Sequence, residues 1–413
     1  MEGLRTYQLG DLLSTPIRNG LTKPSSIRGE GVKMIGMGEL FSNDIIRAID
    51  MPRVPVTDTE LRTASIEEGD LLFARQSLVL EGAGKCSIVK EIDSPTVFES
   101  HLIRCRINKS LALPEYIYYY FKSREGRHNI ESIVEQVAAA GIRGRDLIKL
   151  YITIPSIEEQ RRIVDILLSF DEKIELNNRI NHNLEEQAQA LYKAWFIDFL
   201  PFKGGRFVES ELGMIPEGWS VQRFLSIARL CSGGTPKTDQ KEFWNGNIPF
   251  FTPKDVSTSA FCLTTEKTIT DEGLKNCNSS LFKAYTTFIT ARGTVGKLCM
   301  AGVPMAMNQT NYAICPASNI DVITLFLITK QLINSLKNKA NGAVFDAITT
   351  RDFDGEKLII APQSVMDAFS SMVHPIYDSI LQNEMKNASL SQLRDSLLPK
   401  LMSGQLSINK LDS

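Results

Sequence analysis

Apolar and amide side chains recur on a 3.5-residue beat along one long stretch of the chain. Ile163, Leu167, Phe170, Ile174, Asn177, Asn181, Leu184, Ala188, Leu191 and Trp195 step by alternating fours and threes, the spacing of a coiled-coil seam. The same pattern returns 206 residues later, from Ile163 to Phe369, as Phe369, Val373, Ile376, Ile380, Asn383, Asn387, Leu390, Arg394, Leu397 and Leu401. Each pair matches in character except Ala188 against Arg394, and the asparagines recur in register. Both helices are predicted to start at a serine cap after a proline: Ser156 with Glu159, and Ser364 with Asp367. The spacing predicts long helices over residues 156–199 and 362–404, with Pro375 kinking the second or delaying its regular start.

A repeat of about half the chain implies an internal duplication. Upstream, Ile142 to Leu147 answers Ile348 to Phe353, Phe73-Ala-Arg75 answers Thr290-Ala-Arg292, and Gly20 to Pro24 answers Gly233 to Lys237. These offsets drift before each helix and lock inside it, as variable domains joined to constant spacers would. Short β-rich runs such as Leu71 to Ala74 and Leu102 to Ile107, punctuated by glycines, predict α+β variable domains over residues 1–155 and 219–361. Helices are expected after Pro114 and over 322–339, a linker over 200–218, and a tail over 405–413. The predicted architecture is two α/β domains with two long antiparallel coiled-coil helices, a pseudo-two-fold tandem repeat. Antiparallel pairing would bring Asn177 to Asn387 and Asn181 to Asn383, fixing helix register; otherwise these amides face solvent or a partner.

Bulk properties narrow the class of function. A formal net charge of −2 excludes a uniformly basic nucleic-acid coat but not local positive charge. Between His101 and Asn129 six Lys or Arg stand against two acids. Seven cysteines without a Cys-x-x-Cys pair, and four scattered histidines, predict neither a disulfide framework nor a metal site. No signal-peptide core and no apolar run long enough to span a bilayer are present, so a cytoplasmic location without membrane contact is expected.

Enzyme signatures fail on inspection. Val79 to Cys86 and Ala291 to Leu298 each hold a Gly-Lys pair but lack both end residues of a phosphate loop, and are expected to be tight strand turns. Asn247-Ile-Pro-Phe250 is similar to the motif with which adenine methyltransferases hold a flipped base, yet Ile248 replaces a proline and no glycine-rich cofactor turn precedes it. No nucleophile, base and oxyanion site assemble; no catalytic residue and no cofactor are expected.

Several stretches resemble the specificity subunit of type I restriction–modification systems. They are Pro155-Ser-Ile-Glu-Glu-Gln160, Ala188 to Phe199, Leu212-Gly-Met-Ile-Pro-Glu-Gly-Trp219, Ser232-Gly-Gly-Thr-Pro236, Phe243 to Asp255, Ala291-Arg-Gly-Thr-Val-Gly-Lys297, Asn308-Gln309 and Leu393 to Gly404. The first variable domain departs most, lacking a clear Asn-Gln or Gly-Gly-Thr-Pro equivalent. The resemblance implies a non-catalytic subunit whose two target-recognition domains each read half of a bipartite, asymmetric site in double-stranded DNA, with half-site centres roughly 10 bp apart. The helices would set the spacing and dock adenine methyltransferase subunits, two per chain, with an ATP-dependent restriction subunit as a further partner.

Phosphates call for Lys and Arg, and base edges for Arg, Asn, Gln, Thr or Ser. The expected DNA contacts are Arg18, Lys23, Arg75, Gln76, Arg143 and Arg145 in the first domain, and Thr235, Lys237, Thr252, Lys254, Arg292, Asn308, Gln309 and Asn311 in the second. Arg145 and Arg351 precede aspartates that could pair with them locally. Alternatives at this level are an adaptor spacing two protein-binding modules, a component of a modification-only methyltransferase, and a fused methyltransferase–specificity chain, which would need a catalytic domain upstream of residue 1.

Overall fold

The computed structural model describes residues 4–136, 140–256, 259–292, 295–317, 319–339 and 347–406. These form two compact units, Met1–Glu172 with Leu390–Ser413, and Lys173–Ser389.

The first unit is built on a five-stranded sheet in the order Arg18–Asn19, Leu102–Cys105, Leu71–Ala74, Cys86–Val89 and Ile45–Ile46. Its central strands are buried along their whole length, which is why Leu71-Leu-Phe-Ala74 reads as an unbroken apolar run rather than an alternating one. All neighbours are antiparallel except the last pair. A smaller sheet sets Val32–Ile35 between antiparallel Arg53–Val54 and parallel Thr96–Phe98. Arg5–Gln8 pairs with Tyr151–Ile154.

The second unit repeats these three sheets in the same strand order. Its five-stranded sheet runs Ala228–Ser232, Asn311–Pro316, Thr287–Thr290, Leu298–Ala301 and Phe261–Cys262, again with only the last pair parallel. Trp244–Phe251 lies between antiparallel Lys267–Ile269 and parallel Ala306–Met307, and Ser220–Arg223 pairs with Lys357–Ile360. Equivalent hydrogen bonds fix the residue correspondence. Ile142 N donates to Arg75 O and Ile348 N to Ala291 O, both at 2.9 Å. Arg75 therefore corresponds to Ala291 and Gln76 to Arg292, correcting by one residue the match between Phe73-Ala-Arg75 and Thr290-Ala-Arg292. Such a slip matters because strand side chains alternate faces.

The long helices span Ile157–Tyr192, continued by a π-helical turn Lys193–Ile197, and Gln363–Met402. Ser156 Oγ caps the first by accepting from Glu159 N at 3.4 Å. The second begins two residues earlier than a Ser364 cap allows: the Pro362 carbonyl accepts from Val365 N and Met366 N, while Gln363 Nε2 donates to Asp367. Helix precedes and follows Pro375 without interruption, so the proline does not delay the start. The segment expected to be a linker contains a hairpin, Phe207–Ser210 against Gly213–Pro216.

No seam position on either helix is fully exposed. In the first unit Ile163 and Leu167 share a core with Leu398 and Leu401; in the second, Ala188 shares one with Phe369, Val373 and Ile380. Each unit thus packs one end of the first helix on the opposite end of the second, antiparallel. Between them, within the second unit, Asn177 Nδ2 donates to Asn387 Oδ1 at 2.7 Å and Asn383 Nδ2 to Asn181 Oδ1 at 2.8 Å. Asn387 Nδ2 reaches Asn178 Oδ1 and Asn181 Nδ2 reaches Glu384.

The mismatch of Ala188 with Arg394 also has a structural cause. In the first unit Arg394 pairs with buried Asp171, whose other oxygen accepts from Tyr119 Oη at 2.6 Å.

Candidate nucleic-acid interface

In the second unit, four loops are drawn together by backbone hydrogen bonds. The loop after Ala228–Ser232 joins the loop after Ala306–Met307 through Gly234 N to Met307 O. Asn308 N donates to Phe251 O, bringing in the loop after Trp244–Phe251, and Ala291 N donates to Thr310 O, bringing in the loop after Thr287–Thr290. Glycine is required at 233, where a Cβ would lie 2.2 Å from Met307 O; this close approach is what lets the loops meet.

These loops hold the expected residues of the second domain. Thr235, Lys237, Lys254, Arg292 and Gln309 are exposed, and Asn308 and Thr252 partly so. Thr235 Oγ1 donates to Gln309 Oε1 at 2.5 Å. Thr252 is held by Asp255 Oδ2, which accepts from both its amide and its hydroxyl at 2.7 Å. Lys254 lies 3.7 Å from Glu266, with both side chains largely in solvent, a pair of little strength. Asn311 is a correction: it is fully buried in its strand and touches Asn308 instead of solvent, Nδ2 donating to Asn308 Oδ1 at 2.6 Å.

The first unit builds the same platform with other side chains. Leu21 N donates to Phe98 O, Glu99 N to Ile35 O, and Arg75 N to His101 O. Glu99 therefore occupies the place of Asn308, Gly38 that of Lys254, and Leu102 that of Asn311. Glu99 is turned inward, accepting from Met37 N at 2.6 Å with Arg28 3.9 Å away. Sequence matching found none of these equivalences; the signal lies in strand pairing between distant segments.

Beside this platform Ile17, Arg18, Asn19, Arg75, Arg143, Gly144 and Arg145 line a cleft of about 330 Å³. Four of the six residues expected in the first domain meet here. Arg143 pairs with Glu135 at 2.5 Å and Arg145 with Asp146 at 3.7 Å; among the described residues Arg18 and Arg75 have no carboxylate partner. Across the sheet Arg18 stands opposite Arg104, whose pKa is lowered chiefly by burial and then by Arg106. An arginine stays charged under such a shift. A concave group of guanidinium donors is suited to phosphate oxygens. Gln76 is exposed beside it, paired with Gly141.

Lys23 is a second correction. It is bound to Glu60 at 2.9 Å with its side chain only 13% exposed, a partner 37 residues away in sequence and invisible to local reading. Half of the basic residues from His101 to Asn129 are likewise spent internally: Arg106 on Asp70 and Glu67, Lys122 on Asp44, and Arg127 on Glu131.

The near misses for enzymes have plain structural roles. Gly84 and Gly296 take positive φ of 69° and 75°, each turning the chain back so that its N–H donates to Ala74 O or Thr290 O. Asn247 to Phe250 lies inside a strand rather than beyond its end. No group of three or more His, Cys, Asp or Glu among the described residues could hold a metal, and no helix among them is long and apolar enough to cross a membrane.

Comparison with known proteins places this arrangement. Residues 1–186 and 216–384 match the type I restriction modification DNA specificity domain. The chain is 30% identical over 311 residues to the type I restriction enzyme MjaIX specificity subunit of Methanocaldococcus jannaschii, covering 74% of this chain and 72% of that one. It is 24% identical to the HindI specificity subunit of Haemophilus influenzae over 98% of this chain and 100% of that one. The S subunit of a type I restriction-modification system from M. genitalium shares the fold, with a TM-score of 0.57 at 15% identity over 97% of this chain and 96% of that one. With tandem specificity domains matched over most of its length and the main sheets of the fold duplicated in the same strand order, the chain belongs to the type I restriction-modification DNA specificity family.

Proposed function

We propose that this chain is the DNA-reading subunit of a type I restriction–modification complex. Each recognition domain, residues 1–155 and 219–361, reads one half of a bipartite, asymmetric site in double-stranded DNA. The helices over 156–199 and 362–404 fix the separation of the halves and dock adenine methyltransferase subunits, two per chain, with an ATP-dependent restriction subunit joining the assembly. The chain itself performs no catalysis. One observation carries this reading: the same loop platform is built twice, and its equivalent positions carry different side chains, Glu99 against Asn308 and Gln76 against Arg292. One backbone frame with two chemistries would read two unlike sequences. An adaptor holding two protein modules would have no need for an arginine cleft beside the first frame.

On this reading the helix surfaces carry the protein partners. Glu158, Arg161, Arg162 and Glu186 are exposed, whereas Glu185 is held by Lys330 at 3.4 Å and belongs to the fold of the second unit.

The test is the double variant Lys254→Ala, Arg292→Ala assembled with the methyltransferase. Binding to cognate DNA should weaken about 10-fold or more at physiological salt, with the salt slope reduced by roughly 2. Circular dichroism should be unchanged, and native mass should still show two methyltransferase subunits per chain. Unchanged affinity would remove this surface from the interface, and a one-to-one mass would contradict the stoichiometry.

A further inference from the structure

We infer that Asn308 reads a base edge offering only hydrogen-bond acceptors, guanine in the major groove being the best match, and that Asn311 is the positioning residue that sets this preference. The inference rests on the reading that the second platform faces DNA, and it names what that platform selects.

The Asn308 side-chain oxygen is fully occupied from within. It accepts from Thr310 N at 3.2 Å, Thr310 Oγ1 at 2.8 Å and Asn311 Nδ2 at 2.6 Å. A backbone N–H can only donate, so the Thr310 contact fixes which end of the amide is oxygen. What Asn308 has left is its NH2 group, which makes no hydrogen bond among the described residues. Gln309 beside it is exposed, and its oxygen accepts from Thr235 while keeping a second lone pair, so the restriction lies in Asn308 alone. Asn308 thus presents donors and no acceptor.

That restricts the base. The bidentate contact of asparagine with adenine uses one donor and one acceptor, N7 and the N6 amino group. Asn308 has no acceptor to give, so adenine N6 and cytosine N4 amino groups would meet like donors. Guanine N7 and O6 both accept.

Asn311 supplies the independent sign that this arrangement is kept for use. It is fully buried, and its own Oδ1 has no hydrogen-bond partner, a costly state for an amide. The equivalent position in the first unit is Leu102, also fully buried, so the fold accepts an apolar residue there. Asparagine at 311 brings the fold nothing that leucine would not, except the bond that occupies the Asn308 oxygen.

The experiment uses the full chain with its methyltransferase subunits, on DNA whose motif has been read by methylation-aware sequencing. Each guanine of the motif is replaced in turn by 7-deazaguanine. With the wild-type protein, one such replacement should weaken binding about 10- to 100-fold. In Asn308→Asp, which turns the outward group into an acceptor, that guanine should lose its advantage to cytosine or adenine. In Asn311→Leu, guanine and adenine at that position should bind within about 3-fold of each other, while the other positions and affinity for non-specific DNA stay unchanged. If both variants bind DNA and keep every wild-type preference, the inference is overturned and the proposed function stands. If the wild-type complex shows no sequence preference at all, the proposed function fails first.

Discussion

Replacing both Arg18 and Arg75 with glutamine should weaken binding of the methyltransferase-loaded complex to its DNA by about 100-fold at physiological salt, the largest loss expected from any surface pair. Each phosphate neutralised contributes about 0.9 to the slope of log K against log salt, so that slope should flatten by nearly 2. The choice follows from the cleft. Arg143 and Arg145 already have Glu135 and Asp146 beside them, and part of their charge is cancelled before DNA arrives. Arg18 and Arg75 face the same space without a carboxylate. The single change Arg143→Gln should therefore do less than either. Anisotropy titrations between 50 and 200 mM salt would check it; a slope identical to wild type would show that no phosphate sits in the cleft.

Arg394→Met should lower stability by about 3 kcal/mol, because removing one partner leaves a buried charge uncompensated. Asp171 is 8% exposed at its side chain and Arg394 22%, which places the cost at the lower end of the range for buried pairs. Burial works against the Arg394 charge, but Asp171 and then Asp395 outweigh it and hold its pKa above the ordinary value. Asp171→Asn combined with Arg394→Met should recover most of the loss, since asparagine removes the charge yet can still accept from Tyr119. Urea unfolding of the wild type and the two variants settles the matter. Equal midpoints for the single and the double change would mean that Arg394 acts through packing rather than through charge.

The long helices were legible because a helix seam is written locally, in residues three and four apart. The asparagines at 177, 181, 383 and 387 could be paired on paper since antiparallel packing of one repeat on the other leaves few registers. The platforms were legible only in part. Their glycine turns, Gly20 and Gly233, show in the sequence and occupy equivalent places against Phe98 O and Met307 O. Glu99 could not be recognised as the counterpart of Asn308, because that identity comes from parallel pairing of Thr96–Phe98 with Val32–Ile35, segments far apart in the chain. Strands as short as Arg18–Asn19 and Ile45–Ile46 carry no readable period. Lys23 and Asn311 misled for one reason: residue type names the chemistry a side chain can do, while burial and a distant partner decide whether it is free to do it.

Exchange of residues 219–361 for the corresponding segment of a relative, followed by methylation-aware sequencing of a host carrying the complex, tests the division of labour most directly. The account predicts a two-part motif in which one half changes, while the other half and the gap stay as they were. A motif that is continuous, or one in which both halves change together, would contradict it.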